Sequence, residues 1–123
     1  RRSSDLASQH SIAEEHILVA LRLYHEVENM VGTGWALTLL SEIEQKAGHS
    51  ETAKEKLNGA LETFREANHP QGEAQALTAL GMVIGKTKPQ EGRQMLLAAV
   101  RLFSKLGDTE NQRRAQRLAD TLN

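Results

Sequence analysis

Histidine offers the widest chemistry in this sequence, because imidazole can serve as an acid, a base or a metal ligand. The five histidines are His10, His16, His25, His49 and His69. No two of them lie three or four residues apart, the spacing that would place two metal ligands on one face of a helix. One Glu-x-x-His pattern runs from Glu66 to His69, but a di-iron site requires a second copy and two further glutamates. We therefore expect no metal site and interpret His69 as a turn residue.

Nucleophilic and phosphate-binding motifs are also missing from the sequence. The chain has no cysteine, which excludes thiolate nucleophiles, thiolate metal sites and disulfides. It has no glycine-rich phosphate loop, and serines such as Ser41 and Ser104 have no neighbouring base in the sequence. These observations predict a protein that is not an enzyme and that has neither catalytic residues nor a cofactor.

Size, charge and hydropathy limit the class of protein further. The chain has 123 residues, enough for one domain with a modest core, and a formal net charge of -1. A near-neutral chain lacks the basic excess of a general nucleic-acid or anionic-membrane binder. The longest apolar run, Met95 to Val100, is far shorter than the roughly 20 residues that cross a bilayer. We expect a cytoplasmic protein that binds neither nucleic acid nor membrane.

Internal repetition is the strongest signal in the sequence. Residues 20–40 and 60–80, which are 40 positions apart, are identical at eight of 21 positions. The identical pairs are Ala20/Ala60, Leu21/Leu61, Glu26/Glu66, Gly32/Gly72, Ala36/Ala76, Leu37/Leu77, Thr38/Thr78 and Leu40/Leu80. Tyr24 aligns with Phe64, and a third copy at an offset of 39 places Phe103 at the same position. Three of the four aromatic residues thus occupy one repeat position.

Each copy carries apolar residues at helical spacing. Leu57, Leu61 and Phe64 recur three or four residues apart and form one apolar stripe, and no segment shows the alternation of a strand. The pattern predicts an all-α protein with six helices, at Ser11–Glu28, Thr33–Ala47, Ser50–Asn68, Gln71–Lys86, Pro89–Leu106 and Thr109–Leu122. Because one helix pair cannot bury its apolar face alone, we expect the copies to stack into an α-solenoid.

The repeat resembles the tetratricopeptide repeat in a long form of about 40 residues. The inner helix of that family carries a large apolar residue and then Leu followed by a small residue, and the outer helix carries Ala, a large apolar residue and Ala. The matching residues are Leu37, Leu40, Ser41, Ala53, Leu57 and Ala60 in the second unit, and Leu77, Leu80, Gly81, Gly92, Leu96 and Ala99 in the third. The resemblance implies one domain over 1–123, with repeats at 11–32, 33–70 and 71–107 and a capping helix at 109–122.

The resemblance also implies a concave surface, since the inner helices of the family line it with their second, fifth and ninth positions. The corresponding residues, which we expect to form a partner-binding groove, are Trp35, Thr38, Glu42, Gln75, Thr78, Met82, Arg114 and Arg117. An aromatic ring, hydrogen-bonding groups and arginines suit a peptide or helix with an apolar anchor and acidic groups. For Trp35 two interpretations stay open, a residue of the core and a binding anchor.

The two ends of the sequence differ. In the last helix Gln116 and Asp120 replace Leu77 and Gly81 of the preceding repeat, as a terminal capping helix requires. The first helix, Ser11–Glu28, has the pattern of an outer helix whose inner partner would lie upstream. We therefore expect a piece of a longer protein, and the alternative is an array that begins on its outer helix.

The predicted function is non-catalytic protein–protein interaction, through a groove that holds a peptide or helix of a partner. The alternative is a sensor or regulatory repeat domain of a larger bacterial signalling or transcription-regulating protein. In either case we expect a monomer or a weak homodimer.

Overall fold

The computed structural model describes the backbone of residues 2–26 and 28–122, and the side chains of these ranges from residue 7 onward. Val27, which belongs to the predicted first helix, and Arg1 and Asn123, which end the predicted domain, lie outside the described residues. Within the described ranges the chain forms six α-helices and no strand, which confirms the predicted all-α class. The helices are α1 (Arg2–Glu26), α2 (Met30–Lys46), α3 (Ser50–Glu66), α4 (Pro70–Gly85), α5 (Pro89–Leu106) and α6 (Thr109–Asp120).

Most predicted helix bounds are close to the observed ones, but the predicted start of α1 is wrong. The prediction placed it at Ser11, whereas the helix extends back to Arg2. Residues 2–10 contain neither Gly nor Pro, so no residue in that segment interrupts a helix. The predicted start of α2 at Thr33 is three residues late, because the side chain of Asn29 accepts a hydrogen bond from Gly32 N at 2.8 Å and caps the helix there.

Short turns connect the helices, and neighbours in the chain therefore run antiparallel. Each helix packs chiefly against the helices before and after it in the chain, and α2 also touches α4. This packing of adjacent helices is consistent with a helical repeat. Over the described ranges, each of the six helices is either too short or too polar to cross a bilayer.

Three of the turns repeat the same backbone geometry. In each, the residue before the next helix donates its N–H to the carbonyl of the aromatic repeat position. The donor and acceptor pairs are Asn29 and Tyr24 at 2.7 Å, His69 and Phe64 at 2.9 Å, and Asp108 and Phe103 at 2.9 Å. The residue before each donor has a left-handed φ, and these residues are Glu28 (53°), Asn68 (52°) and Gly107 (72°). The turn from α2 to α3 has the same geometry, with Gly48 at φ 83° and His49 N donating to Glu44 O at 2.8 Å, so this geometry recurs beyond the aromatic repeat position.

The aromatic repeat position lies at the centre of the packing between helices. Phe64 and Phe103 are buried, and Tyr24 is half-buried. Phe64 lies so close to Gly72 that a Cβ on this glycine would overlap the ring, and Tyr24 lies in the same way against Gly32, the repeat equivalent of Gly72. Glycine at this repeat position is what allows two helices to close around an aromatic ring.

Candidate functional site

A concave groove lies between α2 and α4 and extends to α6, and we call it the α2–α4 groove. It encloses about 440 Å³. Its lining residues are Trp35, Thr38, Leu39, Glu42 and Gln45 of α2, Gln75, Thr78, Ala79 and Met82 of α4, and Arg114 of α6. Short turns place these helices side by side, so residues up to about 80 positions apart in the chain share one surface.

Seven of the eight residues predicted for a partner-binding groove line this surface. The eighth, Arg117, is exposed and lies about one helical turn beyond Arg114, outside the lining of the groove. Three lining residues were not predicted, namely Leu39, Gln45 and Ala79. Leu39 and Ala79 are equivalent positions 40 residues apart, each four residues after a predicted residue on the same helix face. That spacing was a signal that could have identified both.

Apolar side chains form the middle of the groove. Leu39 and Met82 are 48% and 39% exposed, although side chains of this type are usually buried. The half-buried Ala79 also lines the groove and adds a methyl group to its apolar surface. The groove thus offers accessible apolar surface that a ligand could remove from water.

Trp35 takes part both in the core and in the groove. Its ring is half-buried and packs edge-on against Phe64, with ring centroids 4.9 Å apart and an interplanar angle of 65°. A second edge contact joins it to His69, at 6.1 Å and 85°. The exposed part of the same ring lines the α2–α4 groove and a smaller cavity of about 190 Å³ between α1 and α2. The two interpretations of Trp35 are therefore compatible with one another.

The two threonines of the groove are less available for hydrogen bonds to a ligand than their residue type suggests. The hydroxyl of Thr38 donates to Gly34 O at 2.9 Å, and that of Thr78 donates to Ala74 O at 2.8 Å. Thr78 is also only 3% exposed. Because each hydroxyl proton is already bonded to a carbonyl, these oxygens can only accept hydrogen bonds from a ligand.

Four polar side chains of the groove have no partner within the described part of the chain. They are Glu42, Gln45, Gln75 and Arg114. Glu42 and Arg114 are exposed, and the two amides are half-buried. A carboxylate, a guanidinium and two amides that bond to nothing within the described chain are free to exchange water for the polar groups of a ligand.

A second concavity of about 490 Å³ lies at the turn from α1 to α2, lined among others by Glu28, Met30 and Glu66. This turn contains Val27, which is outside the described residues, so we do not assign a site there. Among the described side chains, no three His, Asp or Glu residues come together as a group that could hold a metal ion.

Comparison with known proteins does not assign a function to the α2–α4 groove. No model of a known protein family matches the chain, and no curated protein matches it significantly.

Proposed function

We propose that the chain is a tetratricopeptide-like α-solenoid whose function is non-catalytic, and that the α2–α4 groove binds a peptide or helix of a partner protein. The observation that carries the proposal is that exposed apolar side chains and unpartnered polar side chains share one concave surface. Leu39 and Met82 supply the first kind, and Glu42 and Arg114 supply the second. The repeated turn geometry and the packing of successive helices support the solenoid part of the proposal.

The apolar middle of the groove suits one large side chain of the partner. An aliphatic or aromatic residue placed between Trp35, Leu39 and Met82 would cover apolar surface on three sides. Buried anchors of this kind usually provide most of the binding energy of an interface. The partner is therefore expected to carry one apolar anchor.

The polar rim suits a partner with an acidic group beside that anchor. The guanidinium of Arg114 can hold a carboxylate through two parallel hydrogen bonds. The amides of Gln45 and Gln75 can donate to backbone carbonyls of the peptide and accept from its N–H groups. Glu42 can accept from a backbone N–H or from a basic side chain on the opposite side of the groove.

The lining residues belong to helices rather than to loops, which favours binding. Helical backbone is already ordered, so binding costs little additional conformational entropy in the protein. Trp35 is further held by its ring contacts with Phe64 and His69.

The proposal can be tested with peptides selected on the wild-type chain from a random display library. Trp35 is the only tryptophan, so its fluorescence reports directly on the groove. We expect selected peptides to combine an aromatic or aliphatic residue with Asp or Glu and to change the Trp35 emission. Leu39→Glu and Arg114→Glu should each raise the Kd of such peptides about tenfold or more, a loss of about 1.4 kcal/mol.

Arg113→Glu is the matched control, because Arg113 is exposed on α6 next to Arg114 but does not line the groove. It should leave the Kd unchanged, which separates a specific contact of Arg114 from general attraction between charges. Equal affinity for the wild type and for both groove variants would contradict the proposal. A selection that yields no peptide able to change the Trp35 emission would contradict it as well.

A further inference from the structure

The outer face of α1 carries large apolar side chains that no described helix covers. Ile12, Val19 and Leu23 are 51%, 45% and 51% exposed. Successive helical residues are about 100° apart, so these three fall within about 40° of one another on the helix surface. His16, which is also exposed, lies between Ile12 and Val19 on the same face. We call these four residues the α1 seam.

Apart from His16, which also lines the small cavity between α1 and α2, the α1 seam is distinct from the face with which α1 packs on α2. The half-buried residues Ile17, Ala20, Leu21 and Tyr24 form that inner face, and Tyr24 lies directly against Gly32 of α2. By helical geometry the centre of the inner face is about 120° away from the centre of the seam. A helix placed on the seam would therefore not collide with α2.

The spacing of the α1 seam is that of a two-helix interface. Its members are separated by four, three and four residues, which is the alternation of the a and d positions of a heptad. If a second α1 lies antiparallel, Ile12 faces Leu23 of the second copy and His16 faces its Val19. Each contact then occurs twice, as twofold symmetry requires.

The charged residues beside the α1 seam form oppositely charged pairs between two copies only when the two α1 helices are antiparallel. Glu15 and Arg22 are both exposed, flank the seam on one side and have no partner among the described residues. They are seven residues, or about 10.5 Å, apart along the helix, too far to pair with each other. In an antiparallel pair Glu15 lies beside Arg22 of the second copy and Arg22 beside its Glu15. In a parallel pair Glu15 would instead lie beside Ala20, which carries no charge.

We infer that the α1 seam binds a second copy of this chain and forms an antiparallel, twofold-symmetric α1–α1 dimer. The opposite end of the molecule disfavours a head-to-tail assembly, because the exposed face of α6 carries Arg113, Arg117 and Glu110. Placing those charges against the apolar α1 seam would cost the free energy of removing them from water. None of the four residues of the α1 seam lines the α2–α4 groove, so this inference does not depend on the proposed function.

The charges allow a test that leaves the apolar α1 seam intact. Glu15→Arg and Arg22→Glu are prepared separately in the 123-residue chain, and molar mass is measured by sedimentation equilibrium from about 1 µM to about 1 mM, a range that covers weak association. We expect the wild type to reach the dimer mass. Each single variant places like charges beside each other twice and should raise the dimer Kd about tenfold or more.

Mixing the two single variants, Glu15→Arg and Arg22→Glu, is the decisive experiment. One chain then carries two arginines and the other two glutamates, so both cross-pairs are attractive and a heterodimer should form. The double variant with both exchanges should dimerise like the wild type for the same reason. A wild type that stays monomeric over the whole range, single variants that dimerise like the wild type, or a mixture without heterodimer would each overturn the inference.

Substitutions of apolar residues give an independent check. Val19→Glu should abolish dimerisation, whereas Leu18→Glu should preserve it, because Leu18 is similarly exposed on α1 but lies off the seam. Circular dichroism verifies that both variants keep their helices. Loss of the dimer with Leu18→Glu and not with Val19→Glu would place the interface elsewhere and overturn the assigned seam.

Discussion

The two terminal helices, α1 and α6, pack chiefly against one neighbour each but leave different surfaces exposed. α6 buries the small residues Ala115 and Ala119 and exposes charged residues such as Arg113 and Arg117. Among residues 7–26 of α1 no side chain is fully buried, and four large apolar side chains are exposed. The exposed surface of α6 is therefore mainly charged, whereas that of α1 is largely apolar.

The two ends of the molecule also differ at repeat positions that occur in both of them. The aromatic position holds Phe103, which is 1% exposed, beside α6, but the half-buried Tyr24 in α1. The left-handed turn position holds Gly107 before α6 but Glu28 before α2. Residues near the C-terminal end thus match the demands of their positions more closely. We expect α1 to be the more weakly attached of the two helices.

The largest effect is expected at the aromatic repeat position. Phe103→Ala removes a fully buried ring and should lower the free energy of unfolding by about 3–5 kcal/mol. Tyr24→Ala at the equivalent position should cost about half of that, because part of the Tyr24 ring is already in water. Urea unfolding followed by circular dichroism measures both values.

If Phe103→Ala does not fold, Phe103→Leu provides a milder version, with an expected loss of about 1.5 kcal/mol. The conclusion that α1 is attached more weakly than α6 would be wrong if Tyr24→Ala destabilised the chain as much as Phe103→Ala. Such a result would mean that the first helix is attached as firmly as the last pair.

Apolar periodicity and turn residues were enough to predict six helices and their order, because both signals are local. The start of α1 at Arg2 was missed because residues 2–10 lack the apolar stripe that defined the other helices. Such a polar segment becomes helical by continuation of a helix that is already formed, since adding a residue costs less than nucleation. The local hydrophobic pattern does not indicate that a polar segment will continue a neighbouring helix.

The residues that line the groove were predicted better than the contacts and rotamers of their side chains. The resemblance to the tetratricopeptide repeat implied that Trp35 and Met82 share one surface, and the structure brings them together. The contact of Trp35 with His69 joins residues 34 positions apart and depends on how two helix pairs pack. The bond from the Thr78 hydroxyl to Ala74 O likewise depends on a rotamer. Neither rotamers nor contacts between helix pairs are encoded in a spacing rule.

A smaller effect is expected at the turn positions. Glu28 has φ 53°, and left-handed backbone costs a residue with a Cβ roughly 1–2 kcal/mol. Glu28→Gly removes that cost but adds freedom to the unfolded chain, worth about 0.4–1 kcal/mol. The net result should be a stabilisation of about 0.5–1 kcal/mol, measured by thermal and urea unfolding.

Gly107→Ala is the reciprocal change at the other end of the chain. Nothing lies within 4 Å of a Cβ placed on Gly107, so crowding is absent and only the φ of 72° opposes the substitution. Gly107→Ala should therefore destabilise the chain by about 1 kcal/mol. If Glu28→Gly were also destabilising, the left-handed turn at Glu28 would not be a source of strain.

The smallest effect concerns pH and distinguishes the caps of α2 and α6. Asp108 is the N-cap residue of α6 and accepts hydrogen bonds from Asn111 Nδ2 at 2.7 Å, Gln71 Nε2 at 3.0 Å and Asn111 N at 3.1 Å. The bonds from the Asn111 side chain, from Gln71 and from the Asn111 backbone hold the pKa of the Asp108 carboxyl below its usual value. Asn29, the equivalent cap of α2, does not titrate.

A carboxyl whose pKa is lower in the folded state binds fewer protons there than in the unfolded chain. Its contribution to stability is therefore complete above the unfolded pKa and is lost as the pH falls through the folded pKa. Asp108→Asn should destabilise the chain at pH 7, because an amide NH₂ cannot accept the bonds that Oδ2 accepts. The difference between wild type and variant should then shrink between about pH 5 and pH 2, measured by urea unfolding at each pH.

Asn29→Asp transfers the same test to the other end of the molecule. It keeps a side-chain oxygen for Gly32 N but introduces a titrating group, so the chain should gain acid sensitivity in the same range of pH. This gain should be smaller than the sensitivity lost in Asp108→Asn, since Asn29 accepts one hydrogen bond where Asp108 accepts three. Equal pH profiles for the wild type and Asp108→Asn would show that these bonds do not favour the charged carboxylate, and the two caps would then be energetically alike.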